Sequence, residues 1–382
     1  MRFPIPLFIA SVAAGTLGIA LSRQLGAAPT AAPASVAARG PTVALLVTRP
    51  GAGYTSLVLA RAGESAAPAP VARFDHSDDA EVKGAILPGT STVIAVADTV
   101  ATRDLSFASS LFRVEPHRPA ERLCDGVVYA SRPLVTAAGR VFVSRGTAGP
   151  DPALAPPAPS TSKLAGREDA LSIDEIDPTT GSARTVHTFS GYLAFLAGEH
   201  GREILVYRIG AAGADLVGVD ADTGKVRVVA PSLLPFARDF SVDAAKGAVV
   251  FQERDERDSG TWVVDRMNLA TGARTRLASS NSMSLSPSVW PGGGVAYAPD
   301  SRGGLTLIGR EMKPIHGPTG DGIDQVQAVS KEGAWVAALH TRPGELPIAF
   351  AIESSVGRTL ALAAPAGARV AIAGFVAEGA AR

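Results

Sequence analysis

The sequence predicts an all-β protein built from repeated antiparallel hairpins, and three observations carry this prediction. After residue 41, short runs of valine, isoleucine, leucine and aromatic residues alternate with glycine, proline, aspartate and serine, without helical periodicity. A hairpin turn of the form Asp-x-x-Thr-Gly recurs along the chain. Once one insertion is set aside, its copies recur at about 40 to 50 residues, the length of a four-stranded repeat.

The Asp-x-x-Thr-Gly turn is clearest in "IDEIDPTTGSARTVHTF" and "LVGVDADTGKVRVVA", and "DRMNLATGARTRLAS" has Asn in place of Asp. Glycine supplies the positive φ of a tight turn, and the Asp or Asn side chain can cap it. Weaker copies complete a series of seven turns, at Gly63, His117, Gly181, Gly224, Gly272, Glu311 and Gly357. These turns are 54, 64, 43, 48, 39 and 46 residues apart, and the longest spacing contains an insertion at 146–169.

Each turn is preceded by a further hairpin, such as "FSVDAAKGAVVFQE" or "QAVSKEGAWVAALH". Each repeat is therefore predicted to be one sheet of four antiparallel strands, as in a propeller blade. The predicted fold is a seven-bladed β-propeller, although the degenerate first two repeats leave six or eight blades open. "TVALLVT" opens the first repeat and "ARVAIAGFVAEG" is left over at the end, so these N- and C-terminal strands should pair and close the ring.

The N-terminal residues predict export. Arg2 precedes an uncharged apolar run from Phe3 to Leu21, as in a secretory signal peptide or, if uncleaved, a signal anchor over residues 1–22. Residues 23–41 are predicted to be an Ala/Pro-rich tether, and residues 42–379 a single propeller with a Pro/Ala-rich loop insertion at 146–169. We expect a periplasmic or secreted protein that contacts a membrane only through the N-terminal segment.

Composition and motifs point away from several kinds of chemistry. The 36 basic residues are balanced by 36 acidic ones, so no nucleic-acid binding is expected. The single cysteine, Cys124, cannot form an internal disulfide or a cysteine metal cluster. Neither Gly-x-Ser-x-Gly nor His-Glu-x-x-His occurs, and the acidic "FDHSDDAE" is interpreted as a solvated loop. We predict no catalytic residue, no metal, no cofactor and a monomer.

The stretch "SPSVWPGGGVAYAPDSRGG" resembles the repeat of TolB-like and WD-like propellers, in which Ser-Pro-Asp-Gly precedes a strand and Ser-Asp-Arg-x-Gly follows it. Here Pro287 lacks the following Asp-Gly, whereas the second element is present as "DSRGG" from Asp300, and "DERDSG" is a looser copy. The resemblance covers residues 170–360 best. It implies an exported propeller that serves as a binding platform for protein partners; related propellers gate a separate peptidase domain.

One pattern suggests a binding face. In every repeat the second strand ends at, or shortly before, an arginine: Arg49, Arg103, Arg145, Arg208, Arg254, Arg302 and Arg342. In a propeller this loop lies on the face that also carries the connections between blades. Guanidinium groups there suit carboxylate or phosphate partners, whereas pairing with a nearby aspartate, such as Asp300, would make them turn structure.

The predicted function is a non-enzymatic binding or scaffold module for a protein or peptide partner in the cell envelope. The alternative is a propeller hydrolase, lactonase or lyase with its site over the central channel, where Asp79, Asp239 and Asp324 are candidate carboxylates from three connectors. A third reading is a purely structural envelope protein. Convergence of these carboxylates with histidine and arginine would favour the enzyme.

Overall fold

A computed structural model describes residues 40–78, 80–98, 109–128, 132–146, 170–190, 192–210, 213–300, 302–317 and 320–377. The predicted signal segment, almost all of the tether and residues 147–169 of the insertion lie outside these ranges. All pairings between the described strands are antiparallel, and a single turn of 3-10 helix lies at Ala244–Lys246. Within the described ranges, no helix is long and apolar enough to cross a membrane.

The first eleven strands contribute to two sheets. They are β1 (Thr42–Thr48), β2 (Tyr54–Arg61), β3 (Pro70–Asp75), β4 (Lys83–Ile86), β5 (Val93–Asp98), β6 (Ser109–Val114), β7 (Glu121–Val127), β8 (Leu134–Val135), β9 (Val141–Gly146), β10 (Ala170–Ile176) and β11 (Ala183–Ser190). One sheet has the order β27-β1-β2-β3. The other has eight strands, because β4 to β7 and β8 to β11 are joined at a single pair, Val127 with Arg145.

Of the remaining strands, β12 to β26 make four sheets in chain order and β27 belongs to the first sheet. They are β12 (Tyr192–His200), β13 (Glu203–Gly210), β14 (Gly213–Asp220), β15 (Val226–Leu233), β16 (Arg238–Asp243), β17 (Ala248–Arg254), β18 (Trp262–Asn268), β19 (Arg274–Ser280), β20 (Ser288–Val289), β21 (Val295–Tyr297), β22 (Thr306–Ile308), β23 (Ile323–Val329), β24 (Trp335–Thr341), β25 (Ile348–Glu353), β26 (Thr359–Ala361) and β27 (Arg369–Phe375). Strands β12–β15, β16–β19 and β23–β26 form four-stranded sheets, and β20–β22 form a three-stranded one. The hydrogen bonding thus gives six sheets in the described ranges, and the number of seven blades stays a prediction.

The two ends of the described chain close the ring, as predicted. β27 pairs with β1 from Val43–Phe375 to Thr48–Arg369, and it supplies the innermost strand of the first sheet. Closure of this kind removes the exposed edges that an open array of sheets would carry. The predicted fold class, an all-β propeller of four-stranded antiparallel blades closed by its terminal strands, is confirmed.

The repeated turns also lie where the sequence places them. Six of them connect the third and fourth strands of a repeat, and the Glu311 turn follows β22, the third strand of the three-stranded sheet. In three of the turns an Asp or Asn side chain accepts backbone N–H groups. Asp177, Asp220 and Asn268 accept from the Thr179, Thr223 and Thr271 amides, at 2.7, 2.7 and 2.9 Å. We call these seven turns the outer turns.

Neighbouring repeats pack face to face through apolar side chains. Val43, Leu45 and Val58 of the first sheet meet Ala337 and Ala351 of the last one. Comparable clusters lie between each pair of consecutive repeats along the chain. Because each sheet buries both of its faces in this way, its strands are apolar runs rather than strict alternations. The packing leaves the innermost strands to surround a channel.

Candidate functional site

The innermost strands enclose a cavity of about 1040 Å³. Its wall is made by the beginning of strands β4, β16 and β27, by β12 and β23, and by loops at the same end of the ring. An innermost strand is a sheet edge, so some of its carbonyl groups have no strand partner and are available to side chains in the channel. We call this space the channel cavity, and its open end the rim.

Arg132 crosses the channel cavity from the connection before β8. Its Nε donates to the Gly84 carbonyl at 2.9 Å, one Nη to the Gln327 carbonyl at 3.3 Å and the other to the Ile372 carbonyl at 3.1 Å. The three acceptors belong to β4, β23 and β27, the innermost strands of three different repeats. Part of Arg132 faces the cavity, but the surrounding walls exclude bulk water, and this desolvation lowers its pKa.

The rim carries two exposed apolar side chains. Phe236 is 61% exposed and Leu346 is 37% exposed, and both line the channel cavity. Phe236 has φ of 79°, a left-handed conformation that a bulky residue seldom adopts. A strained exposed aromatic at the entrance to a cavity is a typical feature of binding sites.

Asp239 and Ser286 form a polar group beside Phe236. They are also left-handed, with φ of 54° and 41°. The Ser286 hydroxyl accepts a hydrogen bond from Gln325 Nε2 at 2.7 Å and lies 3.5 Å from Asp239 Oδ2. Asp239 keeps 40% of its side chain exposed, but within an enclosed wall, so desolvation raises the pKa of Asp239 despite nearby Arg238. This group can donate and accept hydrogen bonds toward a ligand in the cavity.

Most of the predicted arginines engage partners close to them. Arg145 pairs with Asp174 at 2.9 Å, and Arg208 forms a bidentate pair with the two oxygens of Asp215 at 2.8 and 2.5 Å. Arg302 donates from two nitrogens to one oxygen of Asp300, Oδ2, at 2.9 and 2.6 Å. Arg342 donates to the Asp321 carbonyl at 2.8 Å. These contacts are of the kind that hold a loop in shape.

The other predicted arginines differ. Arg254 is exposed and lies 5.4 Å above the Trp262 ring, and Arg49 is exposed directly after β1. Arg103 lies outside the described residues. None of the seven lines the channel cavity in the described part of the chain.

The three predicted carboxylates do not converge. Asp239 lines the channel cavity, and Asp79 lies outside the described residues. Asp324 is completely buried: one oxygen lies 2.7 Å from His340 Nδ1, and the other accepts the Gly304 and Gly317 N–H groups at 2.8 and 3.1 Å. Its hydrogen bonds tie the β23–β24 hairpin to the loop on either side of Ile315. Among the described residues, no group of three His, Cys, Asp or Glu could hold a metal ion.

The residues that sequence reasoning missed are Arg132, Phe236 and Ser286. Arg132 lies in "SRPLV", one of many arginine–proline stretches, and nothing local shows that it reaches three distant strands. Phe236 had a weak signal, since "LLPFARDF" places an aromatic beside a proline in a connection that should be polar. Ser286 precedes Pro287 of the degenerate repeat motif, and this position does not indicate a cavity.

Comparison with known proteins adds support for the fold. No family model and no curated protein match the chain. The crystal structure of TolB from Acinetobacter baumannii is 11% identical, with a TM-score of 0.48, over 87% of this chain and 67% of that one. A structure from a study of two prolyl endopeptidases is 15% identical, with a TM-score of 0.54, over 87% of this chain and 50% of that one.

The crystal structure of puromycin hydrolase is 15% identical, with a TM-score of 0.44, over 81% of this chain and 52% of that one. This chain therefore spans about half the length of the prolyl endopeptidase and the hydrolase. At this identity, the likeness to the prolyl endopeptidase structure concerns the fold alone.

Proposed function

We propose that this chain is an exported, non-enzymatic β-propeller that binds a protein or peptide partner in the cell envelope. The partner contacts the rim and inserts a segment into the channel cavity. The observation that carries the proposal is the exposed pair Phe236 and Leu346 at the entrance to a cavity of about 1040 Å³. Apolar anchors beside fixed polar groups are typical of binding pockets, and aromatic residues dominate the energetics of many interfaces.

The wall behind the rim fits a peptide. Phe195, Tyr207 and Phe240 form a run of aromatic contacts, with ring centroids 6.3 and 5.3 Å apart, and the Tyr207 hydroxyl is held by the Leu234 carbonyl at 2.9 Å. Such a preformed wall requires little ordering when a ligand binds. Gln325 and Asp239 supply polar groups on the same wall.

Site-specific photo-crosslinking tests this function. A photoreactive phenylalanine analogue replaces Phe236 in the full chain, in cells of the native host, and the matched control carries it at Val356, an outer-turn residue that is 66% exposed. We expect a discrete adduct from position 236 that excess unlabelled chain competes away, and no such adduct from position 356. Identical adducts at both positions, or none at position 236, would contradict the proposal.

The arginine loops form a second part of the proposed binding face. Arg49 and Arg254 are the members with exposed side chains and no carboxylate partner in the described part of the chain. Replacing both by alanine should weaken the crosslinked complex, because guanidinium groups around the rim would attract an acidic partner. The control is Arg202→Ala, a similarly exposed arginine paired with Asp222 at 2.8 Å away from this loop set. If the double variant and Arg202→Ala lose the same amount of crosslinked complex, Arg49 and Arg254 have no specific role in binding.

A lactonase- or lyase-type enzyme is the second candidate function. Asp239 favours it, since this carboxyl faces the channel cavity, has a raised pKa and lies beside the Ser286 hydroxyl. The test is turnover of a panel of aryl esters and lactones by the purified chain. Hydrolysis that Asp239→Asn abolishes would establish the enzyme, and hydrolysis that this variant retains would exclude Asp239 as its acid or base.

A further inference from the structure

The contacts of Arg132 with the described residues leave its positive charge without a counter-ion and some of its N–H donors without an acceptor. A guanidinium has five N–H donors, and Arg132 makes three hydrogen bonds, all to backbone carbonyls. Two N–H groups therefore have no acceptor within the described ranges. No carboxylate of these residues forms an ion pair with Arg132, whereas Arg145, Arg208 and Arg302 each have one.

Cross-linking three strand edges does not require a charge. A neutral amide donor can satisfy carbonyl groups, and transferring an ionised group out of water without a counter-ion is strongly unfavourable. The guanidinium is nevertheless placed in the channel, where desolvation disfavours its charged form. The contacts with the three strands therefore do not explain why this residue is charged.

The entrance to the channel cavity favours an anion as well. Arg369, at the start of β27, is exposed on the cavity wall, and no ion pair or hydrogen bond engages its side chain in the described part of the chain. Arg238 lies on the opposite side, near Asp239 at 3.9 Å and over the Trp262 ring at 4.7 Å. Acidic Glu81 and Glu345 at the rim are already close to Lys83 and Arg342, at 3.7 and 3.8 Å.

The rest of the wall fits an apolar body. Phe195, Phe240 and Leu339 lie along the cavity, and Phe236 and Leu346 lie at the rim. A ligand that carries an apolar segment behind an anionic end would match the wall and the guanidinium at the same time. A planar carboxylate suits a guanidinium, because two parallel N–H···O bonds can form.

We propose that the channel cavity is a receptor for a carboxylate-bearing ligand with an apolar body, and that the carboxylate binds Arg132. The proposal rests on the proposed function, because it concerns the same cavity, and it adds the chemical class of the inserted group. A peptide that enters with its C-terminal carboxylate first meets both requirements.

Two matched probes test this assignment on the full chain. N-acetyl-phenylalanyl-leucine carries a free carboxylate, and its C-terminal amide has the same shape without the charge. We expect the acid to bind about tenfold or more tightly than the amide in isothermal titration calorimetry, as charge-assisted hydrogen bonds exceed neutral ones. Equal affinities for the unmodified chain, or no binding of either probe, would overturn the proposal without any variant.

Variants assign the preference to Arg132. Arg132→Gln, which keeps an amide donor, should remove the preference for the acid, whereas Arg132→Lys, which keeps the charge without the fork, should retain part of it. Arg202→Gln is the control, since Arg202 is exposed, paired with Asp222 and not on the cavity wall. A preference that survives in folded Arg132→Gln would overturn the assignment. If neither probe binds but position 236 still gives an adduct, the carboxylate proposal fails and the proposed binding of a partner at the rim stands. The two experiments therefore test the two proposals separately.

Discussion

The outer turns and the rim of the channel cavity both place residues in the left-handed region of φ, but they do so with different residues. In the outer turns this position is occupied by glycine at Gly181, Gly224 and Gly272, with φ between 69° and 72°. At the rim it is occupied by Phe236 and Asp239, and beside them by the buried Ser286. Four non-glycine residues with positive φ are present in the described ranges, and three of them lie at or directly beside the rim; His117, in an outer turn, is the fourth.

The contacts differ in range as well. An outer turn is held by a side chain two or three residues away, as Asp220 holds Thr223. The rim is held by contacts between distant strands, and Arg132 reaches Ile372, 240 residues further along the chain. The outer turns therefore fold from local sequence, whereas the rim forms only when the ring is closed. Strain accepted at the rim must be offset by the packing of the whole ring.

Gly224→Ala should give the largest effect, and it tests whether the outer turns need their glycines. Gly224 has φ of 69°, and an added Cβ would overlap the Val186 carbonyl oxygen of the preceding repeat. We expect a loss of about 3 kcal/mol in the free energy of unfolding, from backbone strain and overlap together. Urea denaturation followed by circular dichroism measures it.

Gly89→Ala is the matched control for Gly224→Ala. Gly89 has φ of 75°, and nothing lies within 4 Å of the position that an added Cβ would take, so only the backbone contribution of about 1 kcal/mol should remain. If both variants lose the same stability, the Gly224 turn does not dock on β11, and the outer turns are less constrained than their sequence motif indicates.

Replacing a non-glycine residue that has positive φ with glycine should have a smaller effect, and it should raise rather than lower the free energy of unfolding. His117→Gly and Phe236→Gly should each raise the free energy of unfolding by about 0.5 to 1 kcal/mol, because relief of left-handed strain exceeds the added entropy of the unfolded chain. Only Phe236→Gly should also lose the partner identified by crosslinking. Phe236→Gly that binds as well as the unmodified chain would remove the rim from the binding site.

The fold could be predicted from the sequence because its determinants are local and repeated. The Asp-x-x-Thr-Gly turns at Asp177 and Asp220, and the variant at Asn268, contain both the glycine and the cap. These three turns and four weaker copies place the hairpins, and the unpaired strands at the two ends then predict the β1–β27 pairing. His117 was placed correctly in its turn by spacing, although its positive φ could not be inferred from the residue type.

The site was only partly predictable, for a physical reason. Asp239 could be identified because it begins an innermost strand, and Asp324 begins one in the same way. What separates them is tertiary: Gly304 and Gly317 donate to Asp324 and His340 lies against it, whereas the Asp239 side chain is left facing the channel. The contacts of Arg132 depend on ring closure, so no local pattern contains them.

Titration of Asp220 tests whether local hydrogen bonds stabilise the outer turns. Backbone N–H groups, first that of Thr223, hold the pKa of Asp220 below its ordinary value of 3.8. Its ionised form therefore contributes stability above that pH, and the contribution is lost as the pH falls through the lower pKa of the folded chain. Asp220→Asn should be slightly less stable at neutral pH and equal to the unmodified chain in strong acid. The Asn268 turn, capped by an amide, shows that asparagine fits the same geometry.

Titration of Asp239 should have the opposite sign. Desolvation in the channel wall raises its pKa, so the folded chain favours the protonated carboxyl, and stability is lost as the pH rises from 3.8 through the folded pKa. Asp239→Asn should therefore be more stable than the unmodified chain at neutral pH, and the two should converge in acid. Melting temperatures between strong acid and neutral pH measure both variants. The Asp239 carboxylate is unfavourable in the free protein, and it is available to a ligand.

If a partner segment contacts this carboxylate, the stability gained by Asp239→Asn should be smaller in the presence of the partner than in its absence. If Asp239→Asn raises the stability equally with and without the partner, Asp239 does not contact the partner.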